Sequence, residues 1–255
     1  MTLTATDVLT DDTLQGDRKK VQEQSFWRRY FSFYDTLNES IPYQRMVARH
    51  VQVLGIRPGD FVLDAGTGTG NVAVALSQAG ARVMGVDFLE TALEVCRRKL
   101  PAAEFRVADL SKQLEFPANH FDAITCCNVL YILPPEAQEN AVRELFRVLK
   151  PGASAAMTVF GAGFNTFKIY VDTMRQQRRH MSLWGTLLFA LRYSIASARI
   201  IYYVARIKRR QASGDYTFFR REHFSRLLES AGFRVRFIEP ALSGQCLLAF
   251  VQKPD

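Results

Sequence analysis

The run Asp64-Ala65-Gly66-Thr67-Gly68-Thr69-Gly70 lies between a strand-like apolar segment, Phe61-Val62-Leu63, and a helical one, Asn71 to Gln78. Glycine at alternate positions lets the chain turn sharply and lets backbone approach a ligand with no Cβ in the way. This is the chemistry of a cofactor loop. A dinucleotide fingerprint has glycines at relative positions one, three and six, so that a pyrophosphate rests on the helix N-terminus. Here they fall at one, three and five, and Asn71 takes the sixth place. Asp64 puts a carboxylate near where the pyrophosphate would sit, and two anions there repel. The loop therefore suits a cationic cofactor without phosphate.

S-adenosylmethionine has that charge pattern, an ammonium and a sulfonium. Arg82-Val83-Met84-Gly85-Val86 reads as a second strand ended by Asp87, 21 residues after Gly66. An ionised carboxylate there can accept both hydroxyls of a ribose, each charged hydrogen bond contributing roughly 1.5–3 kcal/mol. Phe105-Arg106-Val107-Ala108 reads as a third strand with Asp109 after it, where an adenine amino group could be met. A fourth runs from Phe121 to Asn128. Acidic or amide residues thus stand at the strand ends where an open α/β sheet binds its ligand. Taken singly, each has a plainer reading: Asp87 or Asp109 as a helix N-cap, Asn128 as a turn former.

Through Val62 to Gly70, Asp87, Asp109 and the later run Glu144-Leu145-Phe146-Arg147-Val148-Leu149-Lys150-Pro151-Gly152, the chain resembles the class I S-adenosylmethionine-dependent methyltransferases over about residues 28–160 and 216–255. The resemblance implies a Rossmann-like α/β fold, a seven-stranded mostly parallel sheet with helices on both faces. Its last strand should be antiparallel and inserted between two others. It also implies roles for Asp64, Gly66, Gly68 and Gly70 at the methionine moiety and for Asp87 at the ribose. Phe88 would pack on the adenine, with Asp109 and Leu110 at its edge and Asn128 close by. Tyr34-Asp35-Thr36-Leu37-Asn38 is similar to the Tyr-Asp-x-x-Asn segment of quinone-biosynthesis and phospholipid methyltransferases, which implies a place for Tyr34 near the cofactor.

The elements that must position these residues fit one domain with an insert: 255 residues, 48% of them apolar, suffice for an α/β domain plus an elaboration. The expected division is a disordered N-terminus over 1–17, a cofactor-binding domain over 18–160 and 216–255, and a basic helical insert over 161–215. Residues 1–17 have neither the basic start nor the apolar core of a secretory signal. From Arg18 to Leu37 the chain reads as helical and aromatic, a segment that could cover the cofactor edge or touch a membrane. Cys96, Cys126, Cys127 and Cys246 show no C-x-x-C spacing and read as buried thiols of a reducing compartment; with four scattered histidines, no metal site is expected.

Basicity belongs to the insert. Residues 168–213 hold ten lysines and arginines against Asp172 alone, a net of +9 in a chain whose total is +8, so everything else sums to −1. Arg192 and Arg199 interrupt the apolar runs Leu183–Leu191 and Ile200–Ala205, which excludes a membrane span. With Arg206 they recur every seven residues, placing three cations on one side of a helix with apolar residues around the rest. That pattern, with Trp184 at one end, suits a helix lying on an anionic bilayer surface. A cap over the active site is the plainer alternative. A nucleic-acid surface is disfavoured, because Asn128 is separated from Pro134-Pro135 and no Asn/Asp-Pro-Pro-aromatic tetrad forms.

The expected activity is methyl transfer to a hydrophobic or lipid acceptor at the inner membrane surface, a phospholipid amine headgroup or a prenylated ring, with the protein cytoplasmic and peripheral. A soluble apolar acceptor under the insert, RNA methylation, and cofactor binding without turnover are the alternatives. In-line displacement needs little acid–base machinery; a base, where one is required, would come from Tyr30, Tyr34, Tyr131 or His180.

Overall fold

The apolar runs around the glycine loop form the middle of a sheet. β1 (Phe61–Ala65) pairs in parallel with β2 (Arg82–Asp87) and with β4 (Phe121–Cys127); β2 pairs with β3 (Glu104–Val107), and β4 with β5 (Leu149–Phe160), all parallel. β6 (Arg234–Ala241) and β7 (Cys246–Gln252) complete the sheet. In this computed structural model, which describes residues 25, 26, 28, 29, 35–212 and 216–255, the order is β3-β2-β1-β4-β5-β7-β6. β7 runs antiparallel between β5 and β6, as the family resemblance implies. Val62, Leu63, Ile124 and Cys126 are fully buried, the continuous apolar pattern of parallel strands covered on both faces.

Right-handed crossovers lead one way from β1 through β2 to β3 and the other way from β1 to β4 and β5, so the connecting helices fall on opposite faces. α2 (Asn71–Gln78) and α3 (Glu90–Lys99) cover one; α4 (Pro135–Val148) and α7 (Arg221–Ser230) pack together on the other. α1 (Ile41–Leu54) packs against α2 and β5. α7 ends at Gly232, whose φ is +101°, with Gly232 N–H donating to Glu229 O at 3.0 Å and Phe233 N–H to Leu228 O at 3.2 Å.

Some strand boundaries differ from the sequence reading. The apolar run Ser154–Phe160 reads as the fifth strand, but β5 begins at Leu149, because Leu149 pairs with Phe121 and a register shift between Phe121 and Ala123 accommodates Pro151 and Gly152. β3 stops at Val107, so Asp109 stands in the turn beyond it.

The insert holds two helices, α5 (Thr166–Gln177) and the 30-residue α6 (Leu183–Ala212). Tyr170 of α5 stacks on Tyr193 of α6 and shares a 2.7 Å hydrogen bond with Ser194. Among the described residues no helix is long and apolar enough to cross a membrane. Of the expected 18–37 helix, Ser25, Phe26, Arg28 and Arg29 are helical, whereas Asp35–Leu37 belong to a 3-10 turn, Asp35–Glu39; Phe26 packs on Tyr203 of α6 with ring centroids 5.1 Å apart. Residues 1–17 lie outside the described residues.

His50 of α1 is buried between two strand hydroxyls, with Nδ1 2.9 Å from Thr125 Oγ1 and Nε2 3.3 Å from Thr158 Oγ1. Thr158 Oγ1 donates to Cys127 Sγ, so it accepts from Nε2–H, and the ring is neutral. Burial lowers its pKa to about 4. It is a satisfied core histidine.

Candidate functional site

The crevice lies at the carboxyl ends of β1, β2 and β4, where the strand order reverses between β1 and β4. Gly66, Gly68 and Gly70 all have positive φ, +74°, +53° and +80°, so the loop is built on left-handed backbone that other residues adopt at a cost. At Gly66 the fit is closer still: a Cβ would stand 2.2 Å from Val129 Cγ2. Gly66 and Thr67 N–H both donate to Val86 O, at 2.8 and 2.9 Å, which fastens the loop to the end of β2.

Both strand-end carboxylates lie behind this loop. Asp64, 1% exposed, accepts from Thr67 Oγ1 at 2.7 Å; burial pushes its pKa up to about 7, against the pull of the Thr67 hydroxyl. Asp87, 5% exposed, accepts Gly68 N–H on Oδ2 at 2.9 Å and Leu89 N–H on Oδ1 at 3.0 Å. Burial raises it to about 6, with those amides pulling the other way. An ionised carboxylate offers about four acceptor sites. Gly68 and Leu89 N–H each occupy one, on different oxygens, and the Phe88 N–H also bears on the carboxylate, which still leaves acceptor capacity for the hydroxyls of a vicinal diol. The residues fit the ribose of S-adenosylmethionine, and the buried Asp64 carboxylate at the end of β1 fits a cofactor without phosphate.

Beyond β3, Asp109 Oδ1 accepts from Ser111 N–H at 3.0 Å and Ser111 Oγ at 2.6 Å, closing a turn, while Leu110 is buried beside it. Phe88 packs against the core, partly exposed. Asn128 adopts φ +55°, the left-handed conformation that asparagine tolerates at a turn; its side chain meets Cys246 Sγ at 3.5 Å. The turn-forming reading of Asn128 therefore accounts for its backbone. Cys96 sits beneath the loop with Sγ 3.1 Å from Gly68 O, and burial raises its pKa to about 12.

On the β5 side the strand ends carry rings. Tyr131 is buried, its ring centroid 4.7 Å from Phe160 and 5.9 Å from Tyr216, and Phe218 lies 5.7 Å from Phe164. This aromatic cluster spans the chain just before α7 and the start of the insert. His180 stands exposed in the turn between α5 and α6. Tyr34 and Tyr30 lie outside the described residues.

A set that sequence reasoning passed over closes the loop from the N-terminal side. Lys99, at the end of α3, donates to Asp35 Oδ1 at 2.7 Å, Thr69 O at 2.9 Å and Asn71 Oδ1 at 3.0 Å. Asp35 and Asn38 belong to the Tyr-Asp-x-x-Asn segment, of which only the tyrosine was given a role. That segment, paired with polar Thr69 and Asn71 in the loop, was the available signal.

Residues 62–152 match a protein-family model described as a methyltransferase domain. The chain carries a class I, S-adenosylmethionine-dependent methyltransferase domain. The demethylmenaquinone methyltransferase of Bacillus cereus is 31% identical to it over 129 residues, 47% of this chain and 54% of that one. The chain thus spans about half the length of the curated relatives it matches. Among solved structures, the Burkholderia thailandensis 1,6-didemethyltoxoflavin-N1-methyltransferase, with its substrate and S-adenosylhomocysteine bound, aligns with 100% of this chain and 94% of its own at a TM-score of 0.62 and 16% identity. The N-methyltransferase NodS of Bradyrhizobium japonicum, also with S-adenosylhomocysteine, aligns over 86% and 91% at a TM-score of 0.58 and 14% identity. At those identities the likeness is one of fold. The Rossmann-like sheet of this methyltransferase domain is what these proteins share with it.

Proposed function

We propose that the protein transfers a methyl group from S-adenosylmethionine to a hydrophobic or lipid acceptor presented at an anionic membrane surface. The observation that carries this reading is the outer face of α6. Its first half buries Phe189 and Tyr193, with Tyr193 stacked on Tyr170 of α5, yet Leu183, Trp184, Leu187, Leu188 and Leu191 are exposed, Trp184 by 82% and Leu188 by 71%. A helix that only covered an active site would leave its outward side polar. Leucines and a tryptophan exposed beside Arg192, in the part of the chain that carries net +9, suit the boundary of an anionic bilayer. The relatives named for demethylmenaquinone support an apolar ring as acceptor, and so does the aromatic cluster around Tyr131.

In this reading Asp64 faces the cofactor's ammonium, directly or through water, and Gly66, Gly68 and Gly70 admit its methionine portion. Asp87 takes the ribose hydroxyls, while Phe88, Asp109 and Leu110 line the adenine, with Asn128 and Tyr34 nearby. The cofactor supplies an electrophilic methyl; the chain's own residues hold the acceptor in line with it and exclude water. The domain division follows: 161–215 forms the acceptor and membrane side, the rest the cofactor side. Trp184, Arg192, Arg199 and Arg206 would contact lipid.

Incubation with methyl-labelled S-adenosylmethionine and a whole-cell extract tests this. Label should enter the organic phase, and Asp87→Ala should abolish it while weakening S-adenosylhomocysteine binding on the order of 10- to 100-fold. Label confined to the aqueous phase would favour a soluble acceptor with the insert as lid. The exposed turn position of His180 and the packing of Tyr131 make neither an obvious base, which fits a transfer that relies on orientation.

A further inference from the structure

The turn Asp35–Glu39 and the following Ser40 touch two parts of the molecule that are far apart in sequence. On the cofactor side, Asp35 Oδ1 accepts from Thr69 Oγ1 and from Lys99 Nζ, both at 2.7 Å, and Asn38 Nδ2 donates to Asn71 Oδ1 at 2.9 Å. Thr69 belongs to the glycine loop and Asn71 opens α2. On the other side, Ser40 Oγ is fully buried 2.9 Å from Thr173 Oγ1 of α5. Gln177 Nε2 of α5 donates to Glu39 O at 3.4 Å, and the Arg192 guanidinium of α6 pairs with the Glu39 carboxylate. Six residues therefore span from the cofactor loop to both helices of the insert.

A single 3-10 turn has weak hydrogen-bond geometry of its own and gains its order from what it touches. The contacts described for Asp35, Asn38, Glu39 and Ser40 are polar, and the Asp35, Glu39 and Arg192 side chains keep part of their surface in solvent, the profile of a segment with low local stability. Whatever fixes Thr69 and Asn71 lowers the entropy cost of fixing Asp35 and Asn38, and so of docking α5 and α6. The coupling is reciprocal, because two sites that share an ordering cost stabilise each other equally.

We propose that Asp35–Ser40 is a brace through which cofactor on the glycine loop sets the position of the α5–α6 insert. Cofactor and acceptor-side order then favour each other through this segment. Asp35, Glu39 and Thr173 are positioning residues: they act through the loop and the insert and touch neither reactant. This inference rests on the reading that the loop holds S-adenosylmethionine.

Hydrogen–deuterium exchange on the full chain, with and without S-adenosylhomocysteine, tests it alongside calorimetry. In the wild type the ligand should slow exchange in α5 and the first half of α6 on the order of 5-fold or more. Thr173→Val and, at the surface, Glu39→Gln should bind the ligand within about 2-fold of wild type and lose that remote protection. Asp35→Asn, which keeps an acceptor for Thr69 and drops the Lys99 charge pair, should weaken binding and reduce protection together. Protection confined to the loop and strand ends in the wild type would overturn the brace alone. So would remote protection that survives in both Thr173→Val and Glu39→Gln. Failure of the wild type to bind S-adenosylhomocysteine would overturn the cofactor reading itself, and the brace with it.

Discussion

Asp64 and Asp87 sit behind the glycine loop with their carboxyls buried, so ligand binding and proton release are linked there. Folded, they titrate at about 7 and about 6, whereas an unperturbed aspartate loses its proton near 3.8. Between those limits the folded chain holds more protons than the unfolded one, so the stability of the unliganded protein falls as pH rises from roughly 4 to 7. A cationic amine beside Asp64 favours the ionised form. S-adenosylhomocysteine affinity should therefore increase with pH through that window and level off above about 8, with proton release visible by calorimetry in buffers of different ionisation enthalpy. Asp64→Asn should raise Tm at alkaline pH by roughly 2–6 °C and lose affinity. Affinity that stays flat with pH would separate the carboxylates from the ligand. Both aspartates stood out in the sequence because they end successive strand-like runs in order around the glycine loop, although either alone could be read as a helix cap. Asp35, Asn38 and Lys99 were not, since their meeting depends on three segments about 30 residues or more apart in sequence arriving at one place.

At the scale of elements, the Glu144-Leu145-Phe146-Arg147 run works as a staple. Arg147 donates from Nη1 to Phe116 O at 2.9 Å and from Nη2 to Leu114 O at 3.0 Å, while Glu144 accepts Leu114 N–H at 2.9 Å. One turn of α4 thereby fixes the loop after β3 that carries Asp109 and Leu110. The hydrogen bond from Arg147 holds Glu144 below the usual carboxylate range. Arg147→Met should cost about 2–3 kcal/mol in urea unfolding, chiefly through the two carbonyls and the carboxylate left unpaired. A loss under about 0.5 kcal/mol would show that water replaces the guanidinium there. Strand and helix identities were readable from apolar period and from glycine stops such as Gly232. The start of β5 was not, because Pro151-Gly152 reads as a break when taken locally, and only pairing with Phe121 draws Leu149 into the sheet.

Over the whole molecule, charge and apolar exposure coincide. The insert carries the positive charge and the exposed leucines, and the rest of the chain is nearly neutral. Binding to vesicles containing anionic lipid should weaken steeply as ionic strength rises past about 0.15 M, where exposed charges beyond roughly 8 Å are screened. Trp184→Ser combined with Leu188→Ser should abolish vesicle binding and leave S-adenosylhomocysteine affinity unchanged in the absence of lipid. Equal binding to neutral and anionic vesicles would remove the electrostatic part of the proposal. Arg192, Arg199 and Arg206 read as a heptad series in the sequence. The sequence did not separate the two apolar sides of α6, because leucine and phenylalanine in a helix look alike whether they face α5 or solvent.

The place of β7 also constrains how the chain reaches its fold. It follows β6 in sequence, residues 246–252, yet it joins β5 to β6 and has neighbours on both edges. On a ribosome β6 therefore emerges with no strand to pair with, and β5 keeps an open edge until β7 appears. Contacts such as Val235 with Val251 and Ala155 with Val251 cannot form earlier. Sheet closure is a late, long-range event, and the nascent chain holds an unpaired, apolar β5 edge while it waits.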